Sequence, residues 1–424
     1  MRYLTITLAA LTLAACVPNK SYRKGPQSLL TEEVKAPPTG LSYTLGFIEF
    51  DDWGELFEPE QADRLVSKIA QIKKGGAGVT VVVFVHGWKN NASDQSGHVW
   101  GFREELADIQ RAFPERPLVG VYVGWRGAVV SAPVLKEFTF WDRQAKAINI
   151  PGAHMTASLL RIMRAAKGPK FSDPDSVCLL VGHSFGGQVL ERAITQTLVN
   201  VVFSGEQDDT GPKELDPPAD LVVFVNESAP ALEAKQLLDL LHRRGAELTI
   251  REQQHPLVVS LTSTGDFVTK FALPGGQFVT RPFHSLRQYD EKGDFLGTKA
   301  QSAYYYQSTA NLQSPQSHSI AVHTEAGDDK LRYTSVCLPG ETVPYDIVRT
   351  DSRNDTPYWV MQMPTRIVPD HSDIFRKEFR LLLEAFIERR YASAPPEAGK
   401  CPQALTQVRA VQRSSSMKSR MSIK

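Results

Sequence analysis

Residues 178–187 constrain the fold of this chain more than any other stretch. They read C-L-L-V-G-H-S-F-G-G, and the apolar residues 178–181 have the length and composition of a buried strand. From Gln188 onward, apolar residues recur at helical spacing. Between strand and helix, residues 182–186 match G-x-S-x-G, the pattern of a sharp turn that exposes a serine hydroxyl. The pattern therefore predicts a strand that turns directly into a helix at this serine.

Ser184 is the candidate nucleophile of this turn. A direct strand-to-helix turn leaves little room, and Gly182 and Gly186 lack the Cβ atoms that would clash there. The start of the helix also favours negative charge beside the hydroxyl. The alternative interpretation is a glycine-rich turn that carries a serine by chance. The partner residues found elsewhere in the chain favour the nucleophile.

A serine hydroxyl needs a base and an orienting acid, and a turn of this type is followed by the acid and then the histidine. His371 is the candidate base because it lies between the predicted last strand and the predicted last helix. Asp266 is the preferred acid because it follows the predicted strand 257–262 in a tight polar turn. Glu227 ends the preceding predicted strand and remains the alternative acid.

The rest of the chain alternates predicted strands and helices. Strands are predicted at residues 41–50, 79–85, 118–123, 178–181, 221–225, 257–262 and 359–363. This rhythm predicts an α/β fold with a doubly wound, mainly parallel sheet. Residues 274–356 break the rhythm and are interpreted as an irregular insertion before the last strand. The predicted folded domain covers residues 41–392.

The two ends of the chain have the composition of accessory segments. Residues 1–15 form a short positive start and an apolar run, as in a secretory signal peptide. The ending L-A-A-C at Cys16 resembles the lipobox of bacterial lipoproteins, in which the cysteine is lipidated; an ordinary signal peptide is the alternative. Residues 16–40 are interpreted as the lipidated cysteine with a flexible tether, and residues 393–424 as a disordered basic tail.

A second turn follows the predicted strand 79–85 and reads H-G-W-K-N-N at residues 86–91. Together with G-H-S-F-G-G, it resembles the α/β-hydrolase superfamily and, within it, bacterial esterase-like lipoproteins. The resemblance implies a sheet of the α/β-hydrolase type and an oxyanion hole formed by the backbone N–H groups of Trp88 and Phe185. His86 is expected to be structural rather than the base.

The resemblance implies a serine hydrolase that cleaves carboxylic esters through an acyl-enzyme intermediate. Its substrate would be a small-molecule or lipid ester, and acyl chains on Cys16 would anchor it to a membrane in a bacterial cell envelope, facing the periplasm or exterior. The alternatives are a non-catalytic surface lipoprotein that uses the fold as a binding module, or a lipase, thioesterase or amidase with the same triad.

Composition excludes some other classes of function. The formal net charge of +1 gives no electrostatic case for binding nucleic acid. No Cys or His spacing predicts a metal site, and no cofactor is expected. Cys337 and Cys401 could form a disulfide in an oxidising compartment, but the sequence does not fix that pairing.

Overall fold

The computed structural model describes residues 17–35, 40–129, 139–204, 217–245, 255–280, 285–289, 295–300, 302–313, 315–324, 332–350, 357–391 and 401. The strands in these ranges are β1 (Leu29–Glu33), β2 (Ser42–Glu49), β3 (Thr80–Val85), β4 (Leu118–Gly124), β5 (Val177–His183), β6 (Leu221–Val225), β7 (Val258–Ser263), β8 (Ser285–Tyr289), β9 (Phe295–Ala300), β10 (His318–Val322), β11 (Arg332–Val336), β12 (Tyr345–Arg349) and β13 (Tyr358–Met363).

The main sheet has the strand order β1-β2-β4-β3-β5-β6-β7-β13 within the described residues. Its neighbours from β2 to β13 are parallel, and β1 pairs antiparallel with β2 at one edge. Every residue of β3 and β5 is buried, as expected for central parallel strands covered on both faces. The predicted α/β fold with a mainly parallel sheet is confirmed.

Helices cover both faces of this sheet. They are α1 (Glu60–Lys74), α2 (Gly97–Ala112), α3 (Phe140–Asn149), α4 (Ala153–Lys167), α5 (Phe185–Ser204), α6 (Ala231–Gly245), α7 (Leu273–Thr280), α8 (Ala303–Tyr306) and α9 (Lys377–Tyr391). None of the helices in the described ranges combines the length and the apolar character that a membrane crossing requires.

Alternate side chains of each strand enter two separate cores. In β3, Val81 and Val83 pack with α1, α4 and α5 on one face, whereas Val82 and Phe84 pack with α2 and α9 on the other. Burial of both faces fixes the register between neighbouring strands, and with it the position at which each strand ends. The turns that follow the strands are therefore held on a rigid support.

Residues 17–35 pack against this body, so the flexible tether predicted for residues 16–40 is wrong for that segment. Glu49, at the end of β2, accepts hydrogen bonds of 2.8 Å from the Ser21 hydroxyl and from the backbone N–H of Arg23. The Glu49 carboxylate therefore provides hydrogen-bond acceptors for Ser21 and Arg23, two polar residues of the segment predicted to be a solvated tether.

The Arg23 side chain extends this docking. It is 5% exposed, and its guanidinium pairs with Asp94 at 2.8 Å. Residues 29–33 then form β1 on the edge of β2. The predicted signal peptide, residues 1–15, and the predicted lipidation site, Cys16, lie outside the described residues.

The region predicted as an insertion, residues 274–356, contains two small sheets. One is the hairpin β8–β9, and the other has the strand order β10-β12-β11. Ile320, Val336 and Ile347 of the second sheet join the core that also holds residues of α9. The three-stranded sheet of this region therefore packs on the main domain.

Cys401 is the one residue of the predicted basic tail that the structure describes. It is buried and forms a disulfide with Cys337, which is the pairing that the sequence left open. At this position the chain is tied to the body, unlike the disordered tail predicted for residues 393–424. The rest of that tail lies outside the described residues.

Gly186 tests how tightly the turn after β5 is packed. A Cβ atom at Gly186 would overlap the backbone carbonyl oxygens of Val85 and His86, which cannot move because they end a central strand. We expect Gly186→Ala to lower the free energy of unfolding by about 1–3 kcal/mol or more. Urea denaturation measures this loss. The control is Gly97→Ala, since a Cβ there has no neighbour within 4 Å, and equal stability of both variants would contradict the prediction.

Candidate active site

The turn between β5 and α5 places the Ser184 hydroxyl at the carboxyl edge of the sheet. Ser184 has a φ of 57°, a left-handed conformation that residues other than glycine rarely adopt. Its N–H donates to the carbonyl of Val225 (3.1 Å), and its own carbonyl accepts from the N–H of Gly187 (3.0 Å). Backbone strain that the surroundings enforce in this way is common at functional sites.

His371 lies beside Ser184, although 187 residues separate them in the chain. The imidazole Nε2 is 2.8 Å from Ser184 Oγ, and Nδ1 is 2.8 Å from Asp266 Oδ2. The Asp266 side chain is fully buried, and that of His371 is 14% exposed. The structure thus brings the residues predicted as nucleophile, base and acid into one hydrogen-bonded row.

The protonation of this row follows from the environment of Asp266. Burial raises the pKa of Asp266, but its hydrogen bond and charge interaction with His371, and its hydrogen bonds from Thr269, lower it further, so the pKa lies below its usual value. An ionised carboxylate can only accept, so Nδ1 of His371 carries the hydrogen. In the neutral ring Nε2 is then a bare acceptor, and the Ser184 hydroxyl donates to it.

The two residues predicted to form the oxyanion hole, Phe185 and Trp88, follow directly after Ser184 and after Gly87, a glycine that lies close to Ser184. Phe185 is the first residue of α5, where N–H groups have no partner within the helix. Trp88 follows Gly87, and a Cβ at Gly87 would come within 2.8 Å of the Ser184 Cβ. Phe140 of α3 packs against the rings of both Phe185 and Trp88, at centroid distances of 4.8 and 5.1 Å. It therefore holds the two turns together.

Two further residues, which sequence reasoning missed, hold the backbone of the His371 loop. The His183 Nε2 lies 2.8 Å from the carbonyl oxygen of His371, and the Asn226 amide donates to the carbonyls of Asp370 (3.1 Å) and His371 (3.0 Å). Asn226 Oδ1 in turn accepts the N–H of Ser263 at 2.8 Å. The loop that carries the base is thus fixed through its main chain.

Ser228 also contacts the nucleophile. Its hydroxyl lies 3.2 Å from Ser184 Oγ, and its N–H donates to the Ser184 carbonyl at 3.2 Å. It follows β6, as Asn226 does, so the end of one neighbouring strand supplies contacts to both Ser184 and the His371 loop.

Glu227, the alternative acid, lies behind the turn and does not take the place of Asp266. Its side chain is next to Gly187, and burial together with the Glu191 carboxylate raises its pKa well above the usual value. Burial, reinforced by the charge of Glu233, likewise raises the pKa of Glu191 to about 8. Glu191 of α5 and Glu227 after β6 therefore form a buried pair of carboxyl groups whose pKa values are both raised.

His86 has the structural position expected for it. Its ring stacks on that of Trp125 at a centroid distance of 5.4 Å, and its Nε2 accepts the backbone N–H of Trp125 at 3.0 Å. Burial lowers the pKa of His86 to about 4, so the ring stays neutral. It joins the turn after β3 to the turn after β4.

No group of three or more His, Cys, Asp or Glu side chains in the described residues is arranged to hold a metal ion.

The arrangement at Ser184 consists of a nucleophile, a base, an ionised acid and nearby backbone N–H groups. These are the components of nucleophilic catalysis on a carbonyl group.

Comparisons with known proteins add little to this geometry. No protein-family model matches the sequence, and no curated protein matches it. Among solved structures, the chain is similar to a Trichoderma reesei cutinase in complex with a C11Y4 phosphonate inhibitor. That similarity has 18% identity and a TM-score of 0.19, and it covers 39% of this chain and 64% of the cutinase chain. The chemistry of the site therefore stands on its own side-chain geometry.

Asn226 is expected to control the reactivity of Ser184 through the position of His371. Asn226→Asp keeps a side chain that tolerates the left-handed backbone (φ of 46°) but turns a carboxylate oxygen toward two carbonyl oxygens. Because small displacements of reacting groups cost large factors in rate, we expect labelling by a fluorophosphonate to slow about tenfold or more. The control is Asn200→Asp on the exposed part of α5, and equal labelling rates for the two variants would contradict this role.

The buried Glu191 predicts a specific pH dependence of stability. Its folded pKa of about 8 exceeds the ordinary value of 4.5, so its contribution to stability decreases as the pH rises between these values. Glu191→Gln removes that penalty. We expect the free energy of unfolding of the variant, relative to the parent, to increase by more than about 1 kcal/mol from pH 5 to pH 8. Urea melts at both pH values test this, with the exposed Glu60→Gln as control; parallel profiles would overturn it.

Proposed function

We propose that this chain is a serine hydrolase of the α/β-hydrolase type that cleaves carboxylic esters. The observation that carries the proposal is the row Ser184 Oγ, His371 Nε2 and Asp266 Oδ2, in which both His371 contacts measure 2.8 Å. The chain order serine, acid, histidine and the strand–turn–helix setting of Ser184 are those of α/β-hydrolases.

In the first half of the reaction, Ser184 Oγ attacks the carbonyl carbon of the ester while its proton moves to His371 Nε2. Asp266 stays ionised and stabilises the imidazolium that forms. The negative charge on the carbonyl oxygen is stabilised by the N–H groups of Trp88 and Phe185, and the loss of one such donor typically raises the barrier by about 2.7–4 kcal/mol. The imidazolium then gives its proton to the departing alcohol, which leaves an acyl group on Ser184.

In the second half, a water molecule takes the place of the alcohol. His371 removes a proton from the water as the water oxygen attacks the acyl carbonyl, and Ser184 leaves with the proton that His371 returns. The 14% exposure of His371 lets water reach the ring, whereas the fully buried Asp266 stays shielded. The products are the free acid and the unmodified enzyme.

The proposal extends to cellular location through the sequence of the N-terminus. The ending L-A-A-C supports acylation of Cys16 and anchoring of the enzyme to a membrane in a bacterial cell envelope. The substrate is then a small-molecule or lipid ester that reaches the periplasmic or outer surface of that membrane.

Removal of the nucleophile tests the proposal. Ser184→Ala should lower the hydrolysis of short p-nitrophenyl esters by about 10³-fold or more, since Oγ forms the covalent intermediate. It should also abolish labelling by a fluorophosphonate, and its urea midpoint should remain close to that of the parent. The control is Ser67→Ala, which removes an exposed hydroxyl from α1.

The outcomes separate the alternatives. A parent protein that neither hydrolyses esters nor reacts with the fluorophosphonate is a binding module, and the proposal fails. A parent that is labelled at Ser184 but cleaves only amides or thioesters keeps the triad and loses the ester assignment.

A further inference from the structure

The exposed tryptophan and phenylalanine side chains of the described residues are not scattered over the surface. They are Trp53, Trp100, Trp141, Phe267, Phe271 and Phe278, with exposed fractions between 37% and 68%. Single exposed apolar residues are ordinary, but several on one side of a protein indicate an interaction surface.

All six lie in segments at the carboxyl edge of the sheet, where Ser184 also lies. Trp53 follows β2, and Trp100 and Trp141 are in the first turns of α2 and α3, which follow β3 and β4. Phe267 follows Asp266 directly, Phe271 lies in the π-helical turn Val268–Ala272, and Phe278 lies in α7; all three come after β7. We call this set of six residues the aromatic edge.

The aromatic edge is continuous with the candidate active site. Phe140 packs against Phe185, and its neighbour Trp141 covers Gly276 of α7 so closely that a Cβ atom there would overlap the indole. Further along, Phe267 and Phe271 contact each other at a centroid distance of 5.2 Å. These contacts lead from the nucleophile turn around to the segment that holds Asp266.

The docked N-terminal segment reaches the same edge. The Val17 N–H donates to the carbonyl of Val129 at 2.9 Å, and the Arg126 guanidinium donates to the Val17 carbonyl. Arg126 and Val129 both follow β4. The backbone N–H of Lys89, in the turn after β3, donates to the carbonyl of Gly127 in the same segment. Cys16 is bonded to Val17, so acyl chains on Cys16 would leave the body at this edge.

We propose that the aromatic edge docks on the surface of a lipid bilayer and turns the Ser184 site toward the lipid. Aromatic rings with one exposed face favour the boundary between headgroups and acyl chains, and each buried ring contributes about 1.5–3 kcal/mol. A second copy of the chain fits less well, because pairing through this edge would cover both Ser184 sites. The lipid source of the ester rests on the proposed function, whereas the docking itself does not.

Tryptophan fluorescence can report this docking in the full chain. The chain has six tryptophans, and three of them belong to the aromatic edge. The full-length protein is incorporated into phosphatidylcholine vesicles with or without brominated acyl chains, which quench indoles that lie in the lipid. We expect clear quenching, and we expect Trp53→Phe, Trp100→Phe and Trp141→Phe together to reduce the quenched fraction at least about twofold.

A second set of variants tests the phenylalanines. Phe267→Ser, Phe271→Ser and Phe278→Ser together should lift the edge from the bilayer and reduce quenching of the three tryptophans by about twofold. The matched control is Val322→Ser with Val343→Ser, which removes exposed apolar side chains (50% and 40%) elsewhere on the surface. Urea midpoints verify that each variant is folded.

Equal emission on brominated and unbrominated vesicles would overturn the docking. So would an equal loss in the control variant, or a doubled mass in detergent that disappears with the phenylalanine variants, since the edge would then be a dimer interface. Loss of quenching with intact ester hydrolysis leaves the proposed function in place. Quenching without fluorophosphonate labelling leaves the docking in place and removes the proposed function.

Discussion

In the turn between β5 and α5, the backbone of Gly186 lies against the carbonyl oxygens that end β3. This contact has room for no Cβ atom, and it brings α5 down onto the neighbouring strand within two residues of Ser184. The left-handed backbone of Ser184 and the close approach of Gly87 to its side chain both follow from it. Because β3 and β5 are buried along their whole length, the close packing around them holds the strained backbone of the turn in place.

The base is held differently from the nucleophile. His371 lies in a segment without regular structure, between β13 and α9, so no helix or strand fixes its position. The side chains of His183 and Asn226 replace that support by donating to main-chain carbonyls of the loop, which leaves both ring nitrogens of His371 free for Ser184 and Asp266. Burial lowers the pKa of His183 to about 3, so it donates as a neutral ring and adds no charge next to the base. Support of this kind is what allows a catalytic group on a loop to keep a fixed geometry.

Local patterns predicted the parts of this site that depend on neighbours in sequence. The turn around Ser184 and the buried strands are such parts, because glycine spacing and apolar runs determine them. His183 and Asn226 were missed since their partner is a backbone carbonyl, which has no sequence signature, although polar residues that end neighbouring strands are a usable signal. The docking of residues 17–35 was missed for a similar reason, because Glu49 and Asp94 satisfy polar groups that otherwise resemble a solvated tether.

The parallel strands of the main sheet all end at one edge, so the segments that follow these strands begin at that edge. Here those segments supply both the polar row at Ser184 and the exposed aromatic rings around it. The position of Val17 gives this arrangement a direction. A free tether of some twenty residues would leave every face of the body equally accessible, whereas the bond from the Val17 N–H to Val129 holds the described start of the chain against this edge. The hydrogen bonds that dock the N-terminal segment therefore place the described start of the chain at the same edge as Ser184 and the exposed aromatic rings.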